Sequence, residues 1–293
     1  MTPFADRLTD AVLALRAPAC VGLDPHLDRL PAPLMAGAGG REALAAAART
    51  FCLGVIDVIT GVVPSVKPQV AFFEALGAPG VAALEDVVHA ARDAGLVVVL
   101  DAKRGDIGST ARAYVQGTLA ADGPLGADSV TLSPYLGTES LAPFLGATDE
   151  GAGVFVLVRT SNPGAAAWQH GADATDGIAG QVADWITASN TTRLGAHRFG
   201  PVGAVIGATL PKEAPLWRAR MPHAWFLVPG YGAQGASATD CRGHAREDGL
   251  GALVVSARGV LYPSAGRAGD DWKDGVLARA GAFAEDLRRN LLG

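Results

Sequence analysis

Short apolar runs recur along this chain, each separated from the next by a segment long enough to hold a helix. They span residues 19–23, 61–66, 96–100, 129–132, 154–158, 202–206, 225–228 and 253–255. The run at 96–100, Leu-Val-Val-Val-Leu, is apolar and β-branched throughout, as a strand buried on both faces should be. Strands that alternate with Ala-rich amphipathic helices imply a parallel sheet with helical crossovers. About eight such units in 293 residues fit a closed (β/α)8 TIM barrel of the α/β class, which needs about 250 residues. An open, doubly wound sheet is the competing architecture. Gly22-Leu23-Asp24-Pro25 after the first run does not supply the G-x-G-x-x-G turn of a dinucleotide fold. The expectation is one domain over residues 1–293, with an N-terminal and a C-terminal helix.

Half of the residues are hydrophobic and the mean hydropathy is +0.24, yet the longest apolar region, 51–66, is broken by Asp57 and Pro64. A membrane span needs about 20 apolar residues, so buried strands account for the hydropathy and no membrane partner is expected. At the N-terminus Thr2 is expected to cap a helix with Pro3 at its first position, and Phe4, Leu8, Val12 and Leu15 form an apolar stripe. An amphipathic helix, and not a secretion signal, is the expectation there. A formal charge of −5 and no basic run argue against nucleic acid as a partner. Cys20, Cys52 and Cys241 are odd in number and far apart, which suits buried reduced thiols in a cytoplasmic protein. The six histidines show no metal-ligand spacing, a pattern that leaves carboxylate-bound Mg²⁺ open. Residues 162–180 form a long small-residue loop, either an ordered flap or a flexible one, and 190–200 a solvated connection. A polar stretch at 267–274 precedes a final helix expected at 276–292.

The chemistry concentrates in residues 99–110, VLDAKRGDIGST. Strand alternation would point Asp101 and Lys103 the same way, side by side, with Gly105 ending the strand and Asp106 ahead of a helix whose first turn holds Ser109 and Thr110. An isolated Asp-x-Lys pair would be read as a structural ion pair. Charges at the end of a buried strand are costly unless they pair or do chemistry. The other strand ends favour chemistry, because barrels of this type carry their active sites there. They offer Asp24, Lys67, Ser133-Pro134-Tyr135, Arg159-Thr160-Ser161-Asn162, Gly207-Ala208-Thr209, a Gly-rich loop at 229–235 and Arg258. Lys67, Asp101, Lys103 and Asp106 would form a four-charge cluster of zero net charge. For Lys67 the plain alternative is an exposed strand-end lysine, and for Asp24 a helix cap for the segment beginning at Pro25. A Gly-rich turn alone is most often only a turn, but with Gln234, and with Arg258 at the end of the next strand, it is expected to bind phosphate: glycines let backbone amides approach, and arginine binds oxygens bidentately.

These residues resemble the orotidine 5′-phosphate decarboxylase family, and most of all its longer bacterial subgroup. The resemblance runs from Val21-Gly22-Leu23-Asp24-Pro25 to Ser256-Ala257-Arg258-Gly259. Its most specific motif is Asp101-Ala102-Lys103-Arg104-Gly105-Asp106-Ile107. Lys67-Pro68-Gln69, Thr160-Ser161-Asn162-Pro163-Gly164 and Pro229-Gly230-Tyr231-Gly232-Ala233-Gln234-Gly235 support it. The resemblance implies a cofactor-independent homodimer that converts orotidine 5′-monophosphate to UMP and CO₂. It implies that Lys103 protonates C6, that Asp101 lies against the substrate carboxylate, and that Lys67 holds the network and a ribose hydroxyl. Asp106 and Thr110 would reach into the partner's site, Asp24 would bind the ribose, Ser161 the pyrimidine ring, and Gln234 with Arg258 the phosphate. Ala236 stands where the family loop often has a second glycine, which leaves the closure of that loop open, and Ala257 is a smaller variation. The nearest alternatives are a metal-dependent sugar-phosphate aldolase or epimerase barrel and a nucleotide-binding barrel without catalysis. Lys67 within the cluster disfavours the first by repelling a divalent cation, and the intact charged set disfavours the second.

Overall fold

A computed structural model describes residues 2–37, 39–173, 175–262 and 272–293. Eight parallel strands close on themselves in sequence order: β1 Ala19–Leu23, β2 Ser65–Pro68, β3 Val97–Arg104, β4 Ser129–Leu132, β5 Gly153–Arg159, β6 Val202–Ile206, β7 Phe226–Pro229 and β8 Ala252–Ser256. Helices Gly40–Ile59, Ala78–Asp93, Gly108–Thr118, Thr138–Asp149, Gly177–Asn190, Ala214–Arg220 and Trp272–Leu287 lie between or after them. The architecture is the (β/α)8 barrel that the apolar runs imply. Among the described residues no helix is long and apolar enough to cross a membrane.

Strand alternation divides the core in two. Val21, Val66, Val98, Val130, Val156 and Val254 face the helices in one cluster, while Cys20, Val97, Val99, Phe155, Leu227 and Leu253 fill the other, inside the barrel. The helix Phe4–Leu15 plugs the N-terminal end of that interior with Phe4, Leu8 and Val12. The inward series changes character toward the other end: Ser65 is followed by Lys67, Val99 by Asp101 and Leu157 by Arg159. Apolar packing thus fixes the register that turns these charged groups into the mouth.

Several boundaries differ from expectation. The run at 61–66 is only half strand: Gly61 takes φ +77°, and the amides of Val62 and Val63 donate to Ile59 O, so its first residues close the preceding helix. β3 runs on past its apolar part to Arg104, because pairing with β4 resumes beyond a bulge, from Leu100↔Val130 to Arg104↔Leu132. Pro3 is extended (φ −56°, ψ 146°), so the first helix begins at Phe4, and Thr2 does not cap it. Asp24 is not a helix cap either: His26 precedes the short turn Leu27–Arg29. The 162–180 segment contains short helical turns at Pro163–Ala165 and Ala166–Gln169, and the next helix starts at Gly177. The expected polar stretch at 267–274 lies outside the described residues as far as 271. From Trp272 the chain is helical, ending in a π-helical turn at Arg288–Leu292. The three cysteines are free and buried.

Candidate active site

Asp101 is the centre of the mouth. Its carboxylate accepts four hydrogen bonds: Lys67 Nζ (2.7 Å) and Gln69 Nε2 (2.8 Å) on Oδ2, Lys103 Nζ (2.6 Å) and Thr131 Oγ1 (3.0 Å) on Oδ1. A carboxylate has about four acceptor positions, so this one is saturated and fixed in orientation. Burial by itself would raise its pKa, but the two lysines beside it hold it well below the usual carboxylate range. Burial would lower the pKa of Lys67, and Asp101 with Asp24 reverse that, leaving it raised. Both groups are therefore ionised across the neutral range.

The bulge in β3 explains how Lys103 reaches Asp101. The two meet not through plain strand alternation but because Lys103 adopts φ +46°, folding its side chain back, while Thr131 Oγ1 accepts the amides of Ala102 (3.1 Å) and Lys103 (2.9 Å). Gly105 follows where no Cβ fits, since one would lie 2.8 Å from Ser133 O. Lys67 is buried and the side chain of Lys103 is 48% exposed, so the two ammonium groups on one carboxylate differ sharply in access to the mouth.

Asp24, just beyond β1, stands 4.0 Å from Lys67 Nζ. Its Oδ1 is buried without a hydrogen-bond partner among the described residues, and burial raises its pKa against the partial offset of Lys67. An unsatisfied buried acceptor suits a hydroxyl donor from a ligand. Within one chain the charges brought together are Lys67, Asp101, Lys103 and Asp24. Asp106 accepts the Ile107 amide (2.8 Å) beside the helix Gly108–Thr118, and Thr110 is exposed in that helix's first turn.

On the opposite rim, Ser161 Oγ donates to Gln234 Oε1 at 2.8 Å, joining the loop after β5 to the Gly-rich loop after β7. That loop closes with Ala236 in place of glycine: the Gly232 amide donates to Ala236 O at 2.8 Å. Arg258 is exposed at the start of the short helix Arg258–Leu261 after β8, and the pairing Pro229↔Val255 sets the two loops side by side.

Four positions carried no role in the sequence reading. Thr131 and Gln69 bind Asp101, Tyr262 donates its hydroxyl to Asp24 O (2.7 Å), and Glu213 binds Arg159. Thr131 had a signal, a hydroxyl on the same face as Ser129 of a short buried strand. Tyr262 and Glu213 had none, because their partners are distant in the chain. Among the described residues no three His, Cys, Asp or Glu side chains converge as a metal-ligand group.

Residues 18–268 match the family described as "Orotidine 5′-phosphate decarboxylase / HUMPS family". A relative from Rhodopirellula baltica, named orotidine 5′-phosphate decarboxylase, is 43% identical over 301 residues, covering 98% of this chain and 100% of its own. One of the same name from Deinococcus radiodurans is 44% identical over 89% of this chain and 90% of its own. The solved structure of Leishmania donovani OMP decarboxylase superposes with a TM-score of 0.78 at 34% identity, covering 100% of both chains.

Proposed function

Because the chain belongs to the orotidine 5′-phosphate decarboxylase family, an enzyme family of pyrimidine nucleotide synthesis, we propose that it converts orotidine 5′-monophosphate to UMP and CO₂ without a cofactor, with Lys103 as the general acid. The observation that carries this reading is the saturated Asp101 carboxylate gripped by one buried and one accessible ammonium.

Breaking the bond from C6 to the carboxylate leaves an electron pair on a ring carbon with no cofactor to delocalise it. Catalysts of such steps supply roughly 8–23 kcal/mol or more. The Lys103 ammonium stabilises the developing carbanion and then gives it a proton, and water reprotonates the lysine. Asp101 beside the substrate carboxylate repels it, a repulsion relieved as neutral CO₂ leaves. Lys67 holds Asp101 ionised and, with the unsatisfied Asp24, suits the ribose hydroxyls. Ser161 faces the ring, and Gln234 with Arg258 takes the phosphate, whose binding is remote from C6 and drives closure. Cofactor independence is supported by the two ammonium groups on Asp101, which repel a divalent cation from the carboxylate a metal would need.

The same reading makes the enzyme a homodimer with shared sites, Asp106 and Thr110 reaching into the partner. Ile107, Tyr135, Leu136 and Trp168 are exposed apolar residues on loops after β3, β4 and β5, the rim such a dimer would cover. The buried thiols suit a reducing, cytoplasmic setting. The test is loss of ultraviolet absorbance of orotidine 5′-monophosphate on adding EDTA-treated protein. Rapid loss with UMP as product supports the reading; activity only with Mg²⁺ and a sugar phosphate replaces it with the metal-dependent alternative.

A further inference from the structure

An ion pair between a buried arginine and a part-buried glutamate, which the reaction does not use, lies beneath the loop after β5. Arg159, the last residue of β5, is 5% exposed. Its Nε and Nη2 donate to the two carboxylate oxygens of Glu213 at 3.0 and 3.2 Å, and its Nη1 donates to Thr160 O at 3.1 Å. Glu213 precedes the helix Ala214–Arg220 and also accepts from Trp217 Nε1 at 3.3 Å. Stability alone accounts poorly for such a pair, since an apolar substitute of similar volume is often as stable.

What the pair holds is the backbone that presents Ser161. The Thr160 amide donates to Gln169 Oε1 (2.9 Å), and Gln169 Nε2 donates to Thr160 Oγ1 (2.8 Å), so a flap residue closes on Thr160 from above. From the side, the Gly207 amide donates to Arg159 O at 2.8 Å, and a Cβ at Gly207 would come within 2.8 Å of Ser161 Cβ. His170 Nε2, 3.6 Å from Glu213 Oε1, brings a second flap residue to the same carboxylate.

We propose that Arg159 and Glu213 are positioning residues: together they set Ser161 at the mouth and seat the flap over residues 163–170, making ring recognition and flap seating one coupled event. This deepens the reading in which Ser161 binds the pyrimidine ring, and rests on it.

The test is a double-mutant cycle in the full-length protein, Glu213→Gln against Ser161→Ala, with kcat and KM for orotidine 5′-monophosphate, alongside hydrogen exchange of residues 160–170 without ligand. Residues within one hydrogen-bond network couple, so Glu213→Gln, acting through Arg159 and Thr160, is expected to lower kcat/KM about tenfold or more alone and only about threefold or less in the Ser161→Ala background. Exchange over 160–170 should quicken while β1 to β4 stay as protected as before. Additive losses, or unchanged flap exchange in a variant with lowered activity, overturn the proposal. Gln169→Ala leaves the ion pair intact and must show the same coupling to Ser161; it decides the matter if Glu213→Gln fails to fold. A wild-type protein that does not turn over the nucleotide defeats the reaction assignment instead, and the exchange measurement then still decides the positioning role.

Discussion

Lys103 turns back on its own strand to set its Nζ 2.6 Å from Asp101 Oδ1, with its backbone in the left-handed region at φ +46°. A non-glycine residue held there costs about 1–3 kcal/mol and persists only where its surroundings enforce it. Here Thr131 enforces it, accepting the Lys103 amide while donating to the same Asp101 oxygen. Lys67, buried on the other oxygen, keeps Asp101 charged and fixed. The division leaves the accessible ammonium free to exchange its partner for a substrate atom.

Arg258→Ala should weaken recognition of the phosphate. A charge-assisted hydrogen bond contributes about 1.5–3 kcal/mol, so kcat/KM for the nucleotide should fall about 10- to 100-fold, mainly through KM. The preference for nucleotide over the unphosphorylated nucleoside should shrink accordingly. Steady-state kinetics on both substrates checks this, and an unchanged preference removes Arg258 from the phosphate site.

Asp24→Asn should separate stability from binding. Burial raises the pKa of Asp24, so over the window above the unfolded carboxylate value the folded state binds the proton more readily than the unfolded chain. The ionised form therefore costs stability at neutral pH. Removing its charge should stabilise the fold, seen as a rise in Tm, while affinity for UMP falls. A melting curve and a UMP titration of the same variant suffice; a variant that melts lower and binds UMP as well as wild type contradicts the account of Asp24.

Acid should erode the Asp101 cluster from one side only. The depressed pKa of Asp101 contributes stability that is fully present above the unfolded value of about 4 and is lost as pH falls through the lower folded value. The raised pKa of Lys67 contributes stability that is present below about 10.4 and is lost as pH rises through the higher folded value. Urea unfolding of wild type and Asp101→Asn should differ by a constant amount between about pH 5 and 9, converging below about pH 4. A difference that grows on acidification would reverse the sign argued here.

The barrel was legible because eight buried strands leave eight apolar runs, and β1, β4 and β6 begin and end where those runs do. β2 and β3 were not, for opposite reasons. Val62 and Val63 are apolar because they pack under a helix end, which a run of hydrophobic residues cannot distinguish from a strand. Asp101, Lys103 and Arg104 are polar yet belong to the strand, because pairing resumes at Arg104 beyond a bulge. In the site, residues near in sequence or at strand ends could be read as a group. That Asp24 rather than Asp106 completes the charge cluster of one chain depends on how the barrel closes β1 against β2, a contact no local pattern encodes.

The proposed sharing of sites between subunits gives a prediction that needs no structure of a dimer. Asp106→Ala and Lys103→Ala proteins should each be inactive, yet their mixture should recover about a quarter of wild-type activity, since random exchange in a twofold dimer makes about half the dimers mixed, each with one intact site. A mixture as dead as its components would confine Asp106 to its own chain.

The most direct test of the central claim is kcat of Lys103→Ala on orotidine 5′-monophosphate, measured with its affinity for UMP. The side chain is half-exposed and its loss leaves Lys67, Gln69 and Thr131 on Asp101, so the fold and UMP binding should persist. Loss of the proton donor should lower kcat by about 10³-fold or more. Turnover within about tenfold of wild type, less than general acid catalysis ordinarily contributes, would show that the proton reaches C6 from another group.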